Sequence, residues 1–385
     1  MKKGQPWVLF LRKLYRGFHL VRVRFRGVGS FVPRRTVSNE KITRAVPGWS
    51  PERIEEKVGI KERRFLWDFD AERGVALPPP EDAEFYPANN VEMCEVALKA
   101  ALVQGEVLPG EVDALFVVTC TPDELNINHD AMALHARLGL RTDAFALVID
   151  DGCGGTPYVI DLARRMIEGG QFRTIAIVAS AFTSALLNRE EYTAQVTPED
   201  GGKALHAFLS MYVFGDGASA VILHGEEGDA DSPGIVASLS GNAHERLVVR
   251  QGGGTFRLGY QGRTKPGQHA FVIDGLKVAR SYPQYMRACI DGVLEGKEAL
   301  RTEVRRFYFH QPNQRLMDRF ISTLGVDPSR IPSHVARYGN TSAAGMLTLL
   351  AEDLEEGQVA YGQGDLVLIA AVGANVHYGA QLVRL

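Results

Sequence analysis

Short apolar runs alternate with helix-period segments along most of the chain. The pattern predicts strands at Ala114 to Thr119, Phe145 to Ile149 and Thr174 to Ala179, with helices at Asp130 to Leu138 and just after Cys153 between them. Such alternation means parallel strands joined by crossover helices, an α/β fold. Upstream, Val21 to Val28 alternates basic and apolar residues and reads as an opening strand that runs into the turn Gly29-Ser30-Phe31-Val32-Pro33. Helical patterns follow at Asn39 to Val46, Glu52 to Val58 and Val91 to Leu102. Residues 68–90 carry Pro78-Pro79-Pro80 and several acids, so this stretch reads as an irregular surface excursion. Lys203 to Phe214 leads into a glycine turn at Gly215 that feeds a buried strand to Leu223.

The second half of the chain echoes the first. Gly152-Cys153-Gly154-Gly155-Thr156 opens a helix that closes at Gly169, and Gly339-Asn340-Thr341-Ser342-Ala343-Ala344 opens one that closes at Gly357. The strand at Ile175 to Ala179 and the turn and strand at Gly215 to Leu223 are mirrored by Val367 to Ala371 and Gly373 to Val383. The duplication predicts two similar halves, residues 1–230 with a basic N-terminal arm and the inserted loop 68–90, and residues 231–385. Two helix entrances then meet at a pseudo-twofold axis, where Cys153 faces Asn340.

That meeting point holds the candidate chemistry. Cys153 sits on a glycine-flanked turn just before a helix, where the helix N-terminus favours a thiolate and backbone N–H groups can hold an oxyanion. Taken alone it reads sooner as a small buried hydrophobe, and the rest of the chain reverses that reading. His310 ends the apolar run Phe307-Tyr308-Phe309 and opens a polar turn, His310-Gln311-Pro312-Asn313. A thiolate accepts an acyl group from a thioester at little energetic cost. Neutral imidazole and a side-chain amide can donate two hydrogen bonds to a second thioester's carbonyl as it becomes an enolate. Cys, His and Asn at three strand or turn ends therefore make one constellation.

Composition narrows the class without naming an activity. The 385 residues are 45% hydrophobic and 23% charged, a globular balance that does not indicate disorder. A net charge of -3 gives no global attraction to nucleic acid. Cys94, Cys120, Cys153 and Cys289 are too scattered for a disulfide framework or a zinc site, so no metal is expected and a reducing cytoplasm fits. No stretch approaches the length of a membrane span. Ten Lys and Arg residues, from Lys2 to Arg35, precede the first acid at Glu40 and read as a solvated basic arm or a docking patch.

These residues resemble the ketoacyl synthase III branch of the thiolase superfamily over almost the whole chain. The matching motifs are Gly27-Val28-Gly29-Ser30-Phe31-Val32-Pro33, Gly59-Ile60-Lys61-Glu62-Arg63-Arg64, Thr121-Pro122-Asp123 and Phe214-Gly215-Asp216-Gly217-Ala218. Further on come His310-Gln311-Pro312-Asn313-Gln314-Arg315, Gly339-Asn340-Thr341-Ser342-Ala343-Ala344 and Gly379-Ala380-Gln381-Leu382-Val383-Arg384. The resemblance implies a thiolase fold of duplicated βαβαβαββ halves in a five-layered αβαβα core, a homodimer, and a Cys153, His310, Asn340 triad. It further implies that Cys153 is acylated with its own amide in the oxyanion hole, that His310 and Asn340 activate the extender, and that no cofactor is needed.

Several positions depart from the family's pattern. Asp151-Gly152 replaces an alanine-rich approach to the cysteine, and Gly155 replaces a bulky residue, which is expected to widen the site. Arg53 aligns with a tryptophan that stacks on the adenine of coenzyme A, which favours a carrier-borne primer; Lys57 and Arg315 fall at the pantetheine entrance and suit an acidic acyl carrier protein. Ile127 aligns with the partner subunit's tunnel cap, and Glu124 nearby is a candidate base beside His310. The closing glycine cluster becomes Gly373-Ala374-Asn375, leaving the Asn375 amide as second oxyanion donor. The chain looks like the α-pyrone-forming ketosynthases of the corallopyronin and myxopyronin type, which join two carrier-bound β-ketoacyl chains. The competing expectations are decarboxylative initiation with malonyl carrier protein, acyl transfer to an alcohol or amine, and a non-catalytic partner subunit.

Overall fold

The computed structural model describes residues 20–46, 48–80, 84–124, 127–193, 210–229, 231–250 and 271–385. Two sheets carry the molecule. The first contains β1 (Leu20–Phe31), β2 (Ala114–Val118), β3 (Phe145–Ile149), β4 (Thr174–Ala181) and β5 (Gly217–Gly228) in the order β1-β5-β4-β2-β3. The second contains β6 (Gly234–Asn242), β7 (Val304–Phe309), β8 (Leu366–Val372) and β9 (His377–Arg384) in the order β6-β9-β8-β7.

The sheets repeat one another strand for strand. In each, the first strand pairs antiparallel with the last, the last pairs antiparallel with its neighbour, and the next pairing is parallel. Among the described residues only β3, at the edge of the first sheet, has no counterpart in the second.

Burial on both faces explains why the central strands read as continuous apolar runs. Phe116 and Ile177 point inward with Tyr308 and Ile369, onto Val159, Ile160 and Ala163 of α4 (Gly155–Glu168) and Met346, Leu347 and Leu350 of α7 (Gly345–Glu355). Leu115, Val117 and Val178 point outward onto Ala97 and Leu98 of α2 (Asn90–Gln104) and Leu134 of α3 (Asp130–Leu138). Phe307, Leu368 and Leu382 likewise meet Met286 and Ile290 of α5 (Gly275–Leu294) and Met317 and Phe320 of α6 (Gln314–Ile321). The layers therefore run helix, sheet, helix pair, sheet, helix. No helix among the described residues is long and apolar enough to cross a membrane.

Two local expectations change. Much of the stretch from 68 to 90 is ordered: Asp68–Asp70 pairs antiparallel with Val75–Leu77, and the Asp70 carboxylate accepts from the Glu72 and Arg73 amides at the hairpin's tip. Three-residue strands are too short to show a period in sequence, which is why the hairpin was invisible. The chain joins the fold sooner than the run of basic residues suggests. Arg22, Arg24 and Arg26 belong to β1 and bond Ser232, Glu226 and Gly105 respectively, because they alternate with the buried Val23 and Phe25. Residues 1–19, with Lys2, Lys3, Arg12, Lys13 and Arg16, and the early part of the Lys203 to Phe214 run lie outside the described residues.

Candidate active site

Each half of the fold delivers its chemistry at the end of a buried element. β3 ends at Ile149, and the Asp150 to Gly154 turn, closed by Gly155 N–H to Gly152 C=O at 2.9 Å, presents Cys153 at the entrance of α4. No side chain caps that helix N-terminus. His310 follows β7 and extends its pairing, donating its amide to Ala370 at 3.0 Å. Asn340 is fixed through its backbone: its N–H donates to Val213 at 2.7 Å, and its carbonyl accepts from Gly215 at 3.1 Å.

The two helix entrances interlock. The Thr156 hydroxyl, in the first turn of α4, donates to the Ala343 carbonyl just before α7 at 2.7 Å. Asn340 Oδ1 accepts from Ser342 N–H at 2.9 Å, which turns its amide NH2 outward, and Ser342 Oγ lies 3.6 Å from Cys153 Sγ. Ser342 holds a φ of 50°, an uncommon conformation for a non-glycine residue that aims its hydroxyl at the thiol. Cys153, His310 and Asn340 all line one cavity of about 280 Å³. Its walls are apolar, with Val58, Val213, Phe214 and Leu316, and its mouth carries Lys57, Arg315 and Arg319.

Burial sets the protonation states. Desolvation holds the His310 imidazole down to about 4, so it is neutral at physiological pH and can donate one hydrogen bond. Desolvation also pushes the Cys153 thiol up to about 11, with the Asp151 carboxylate adding to the rise and hydrogen bonds from Ser342 and Asn340 opposing it. The resting nucleophile is a thiol, contrary to the thiolate expected from its place at a helix entrance: burial beside a carboxylate outweighs the helix dipole. Cys120 reaches the site's edge. Its sulfur would lie 3.4 Å from a Cβ added at Gly152, and burial followed by the nearby Cys153 raises it to about 12.

The buried histidines give acid sensitivity. His310 at about 4 and His334 at about 3, both lowered by desolvation, lie below the usual value of 6.5. As pH falls from 6.5 towards 4, the unfolded chain takes up protons that the folded chain refuses, so stability falls with pH. Asp216, raised by burial to about 6, works the other way between 6 and 3.8, since the folded chain keeps a proton the unfolded chain has lost. Burial also raises Asp123, Asp130, Glu352 and Asp353, which act with Asp216, and lowers His224, which acts with the other histidines; His310 and His334, shifted furthest, set the sign. The unfolding midpoint is expected to be highest near neutrality and to drop steadily below about pH 6; a midpoint that stays level down to about pH 4.5 contradicts the buried neutral imidazoles.

Other sequence expectations fare differently. Gly155 does not widen the cavity: a Cβ there would sit 2.5 Å from Val118 Cγ1, so the glycine permits close packing of α4 on β2. Arg53 is not on the cavity wall. Its guanidinium lies 4.4 Å from the ring centroid of Trp49, and that indole lines the mouth, so the aromatic surface missing at Arg53 is supplied four positions upstream. The argument from Arg53 against coenzyme A therefore lapses. Asn375 is exposed, at the crown of a turn closed by Val376 N–H to Gly373 C=O at 3.0 Å, and the wall beside Cys153 is formed by Gly373 and Ala374 instead. Glu124 pairs with His129 at 3.2 Å, and Ile127 is 85% exposed with a φ of 53°; neither lines the cavity of this protomer.

Sequence reasoning missed Trp49, Arg319, Ser342 and His377. Arg319 lies one helical turn beyond Arg315 and was findable by that spacing. The other three carry no local signal. Among the described residues, no three His, Cys, Asp or Glu side chains gather as metal ligands.

Comparison with known proteins then decides the family. Residues 294–385 match the model of the 3-oxoacyl-[acyl-carrier-protein] synthase III C-terminal region, and residues 149–207 match that of 3-oxoacyl-[acyl-carrier-protein] synthase III. A β-ketoacyl-[acyl-carrier-protein] synthase III of Rhodospirillum centenum is 30% identical over 362 residues, covering 93% of this chain and 97% of that protein. The chain belongs to the ketoacyl synthase III family. A second synthase III, from Acidiphilium cryptum, is 29% identical over 93% of this chain and 98% of its own. The crystal structure of the Aquifex aeolicus synthase III superposes with a TM-score of 0.72 at 24% identity, over 94% of this chain and all of the other. OleA of Xanthomonas campestris gives a TM-score of 0.75 at 16% identity, over 95% of this chain. The layered fold of this synthase III relative is thus the thiolase fold.

Proposed function

We propose that the chain joins two acyl thioesters by a Claisen condensation through an acyl-Cys153 intermediate. The observation that carries this is the convergence of Cys153, His310 and Asn340 on one apolar cavity with a basic mouth. The Cys153 sulfur attacks the first thioester's carbonyl and gives up its proton. The oxyanion is met by the Cys153 amide and by the turn at Gly373 to Asn375, and the donor thiol leaves. His310, neutral at rest, takes the α-proton of the second thioester, and its ring and the Asn340 amide then donate hydrogen bonds to the enolate oxygen; the proton passes on to the departing Cys153 thiolate. The enolate carbon attacks the acyl-Cys153 carbonyl, and the Cys153 thiolate leaves and regains a proton.

The preferred substrates are two carrier-borne β-ketoacyl chains of secondary metabolism. After carbon–carbon bond formation, an enol oxygen attacks the remaining thioester carbonyl, expels the carrier thiol and closes an α-pyrone. This reading rests on the resemblance and on the departures at Asp151-Gly152 and Gly373-Ala374-Asn375. Product mass tests it. Two β-ketoacyl carriers are expected to give a carrier-free lactone containing both chains without loss of carbon dioxide. Turnover with malonyl carrier protein alone, giving a carrier-bound product and carbon dioxide, contradicts it in favour of decarboxylative initiation.

Carrier delivery has its own test. Arg315 and Arg319 are exposed on one face of α6, and Lys57 lies across the mouth on the helix Pro51–Val58. Arg315→Glu with Arg319→Glu is expected to raise KM for carrier-borne donors about tenfold, in a salt-dependent way, and to leave small pantetheine thioesters unaffected. Equal effects on both donor types contradict carrier docking.

Assembly as a homodimer is supported by β3, which among the described residues pairs on one side only, with β2. Phe145 is 45% exposed and Leu147 44%, and Met132 on α3 and Ile127 add further exposed apolar surface on the same side. An apolar free edge of this kind is a template for strand pairing. Light scattering is expected to give a dimer for the wild type and a monomer for Leu147→Lys; a monomeric wild type contradicts the assignment.

A further inference from the structure

We infer that Asp151 and His377 form a positioning pair that keeps in register the two backbone segments facing the Cys153 thiol. The inference rests on the acyl-Cys153 reading above. Asp151 lies two residues ahead of the cysteine, on the turn that departs from the family's alanine-rich approach. His377 opens β9 in the other half of the fold, immediately after the turn at Gly373 to Val376. Their side chains meet across the pseudo-twofold axis, with Nε2 of His377 2.7 Å from Oδ1 of Asp151. The two atoms are in direct contact, although Nε2 is not aligned on Oδ1 as a hydrogen bond, so the pair is held by close packing of the two side chains.

Each partner is tied to one of the segments. Asp151 Oδ1 also accepts the Gly152 N–H at 2.7 Å, which fixes the Asp151–Gly152 peptide, one ahead of the peptide that carries the Cys153 amide. The His377 carbonyl accepts the Gly373 N–H at 2.8 Å, which fixes the base of the facing turn. The imidazole fills the space between them. A Cβ at Gly373 would fall 2.2 Å from Nε2, and one at Gly154 would fall 2.6 Å from Nε2 and 2.6 Å from the Gly373 nitrogen. The Tyr158 ring closes the remaining side edge-on, at 5.8 Å and 84°. His377 is only 7% exposed.

The consequence concerns the oxyanion. Gly373 has already spent its N–H on His377, so donors to a tetrahedral intermediate come from Cys153 itself and from Ala374, which lines the cavity at the wall of the turn. Those donors belong to different halves of the chain, and the Asp151–His377 contact is a direct side-chain bridge between their supports. Donor placement matters steeply, because a displacement of about 1 Å at a reacting centre can cost about a hundredfold in rate. Neither side chain lines the cavity, so the pair acts through the backbone and does not touch substrate.

The test separates two reactions of the same thiol. Acylation by a thioester passes through an oxyanion; alkylation by iodoacetamide does not. In the full chain, His377→Gln and Asp151→Asn are each expected to slow acylation of Cys153 about tenfold to a hundredfold, with donor half-saturation unchanged. The double variant is expected to be no slower than the worse single one, since both remove one contact. Alkylation is expected to be no slower than in the wild type, because Asp151 already holds the thiol's pKa up. Unchanged acylation in the variants overturns the pair while leaving the condensing reading intact. Acylation and alkylation that slow together, or a double variant in which the losses multiply, also overturn it. A wild type that no thioester acylates removes the acyl-Cys153 reading and this inference with it.

Discussion

His310→Ala and Asn340→Ala are each expected to leave Cys153 able to accept an acyl group while slowing condensation by about 10²–10³-fold. The division follows from where the groups stand. Cys153 belongs to the first half of the fold and is supported by the α4 entrance, whereas His310 and Asn340 come from the second half and converge on the same cavity. Burial keeps His310 neutral, with a pKa lowered to about 4, so its ring offers a hydrogen bond to a developing enolate at every pH at which the enzyme is stable. Asn340 has committed its oxygen to Ser342 and keeps its NH2 for the same task. Removing either leaves the enolate short of one donor. In single-turnover experiments the acyl adduct should form at near wild-type rate and then persist when the second thioester is added. Variants that fail to form the adduct would place His310 or Asn340 in the first step instead.

Cys153→Ala is expected to abolish turnover, because no other thiol can take over the acyl group. Cys94 and Cys289 are buried in the outer layers, and burial, which needs no Cys153, keeps the Cys120 thiol protonated. The wild-type thiol has a signature of its own. With a pKa raised to about 11 by burial, its alkylation rate should climb about tenfold per pH unit between about pH 7 and pH 9.5 without reaching a plateau. A plateau near pH 7 would mean that the helix entrance outweighs desolvation, and the thiol would then rest as a thiolate.

The sequence exposes what is local and repeated. Strands such as Phe116 to Val118 and Ile175 to Ala179 bury both faces, so their apolar runs are continuous and their type is unmistakable. The helix at Asp130 to Leu138 shows its period and ends at Gly139, whose φ of 63° closes it. The duplication placed Cys153 opposite Asn340 because the same turn opens both central helices. What stayed hidden depends on contacts between distant segments. Asp151 and His377 sit in different halves, and neither stands out beside its own neighbours. Trp49 reaches the cavity mouth from the loop before its helix, and only the stacked Arg53 shows where it points. Asn375 was assigned by counting through a glycine cluster, whereas the turn's hydrogen bond at Gly373 rotates that residue outward and leaves Ala374 at the wall.

The most direct test of the central claim is intact-protein mass spectrometry after mixing the enzyme with acyl- and β-ketoacyl-loaded carrier proteins and with the corresponding coenzyme A thioesters, alongside Cys153→Ala. The account predicts an added acyl mass on the wild type, mapped to Cys153 and absent from the variant. No adduct from any donor, or an equal adduct on Cys153→Ala, contradicts a covalent condensing mechanism and favours a non-catalytic partner subunit.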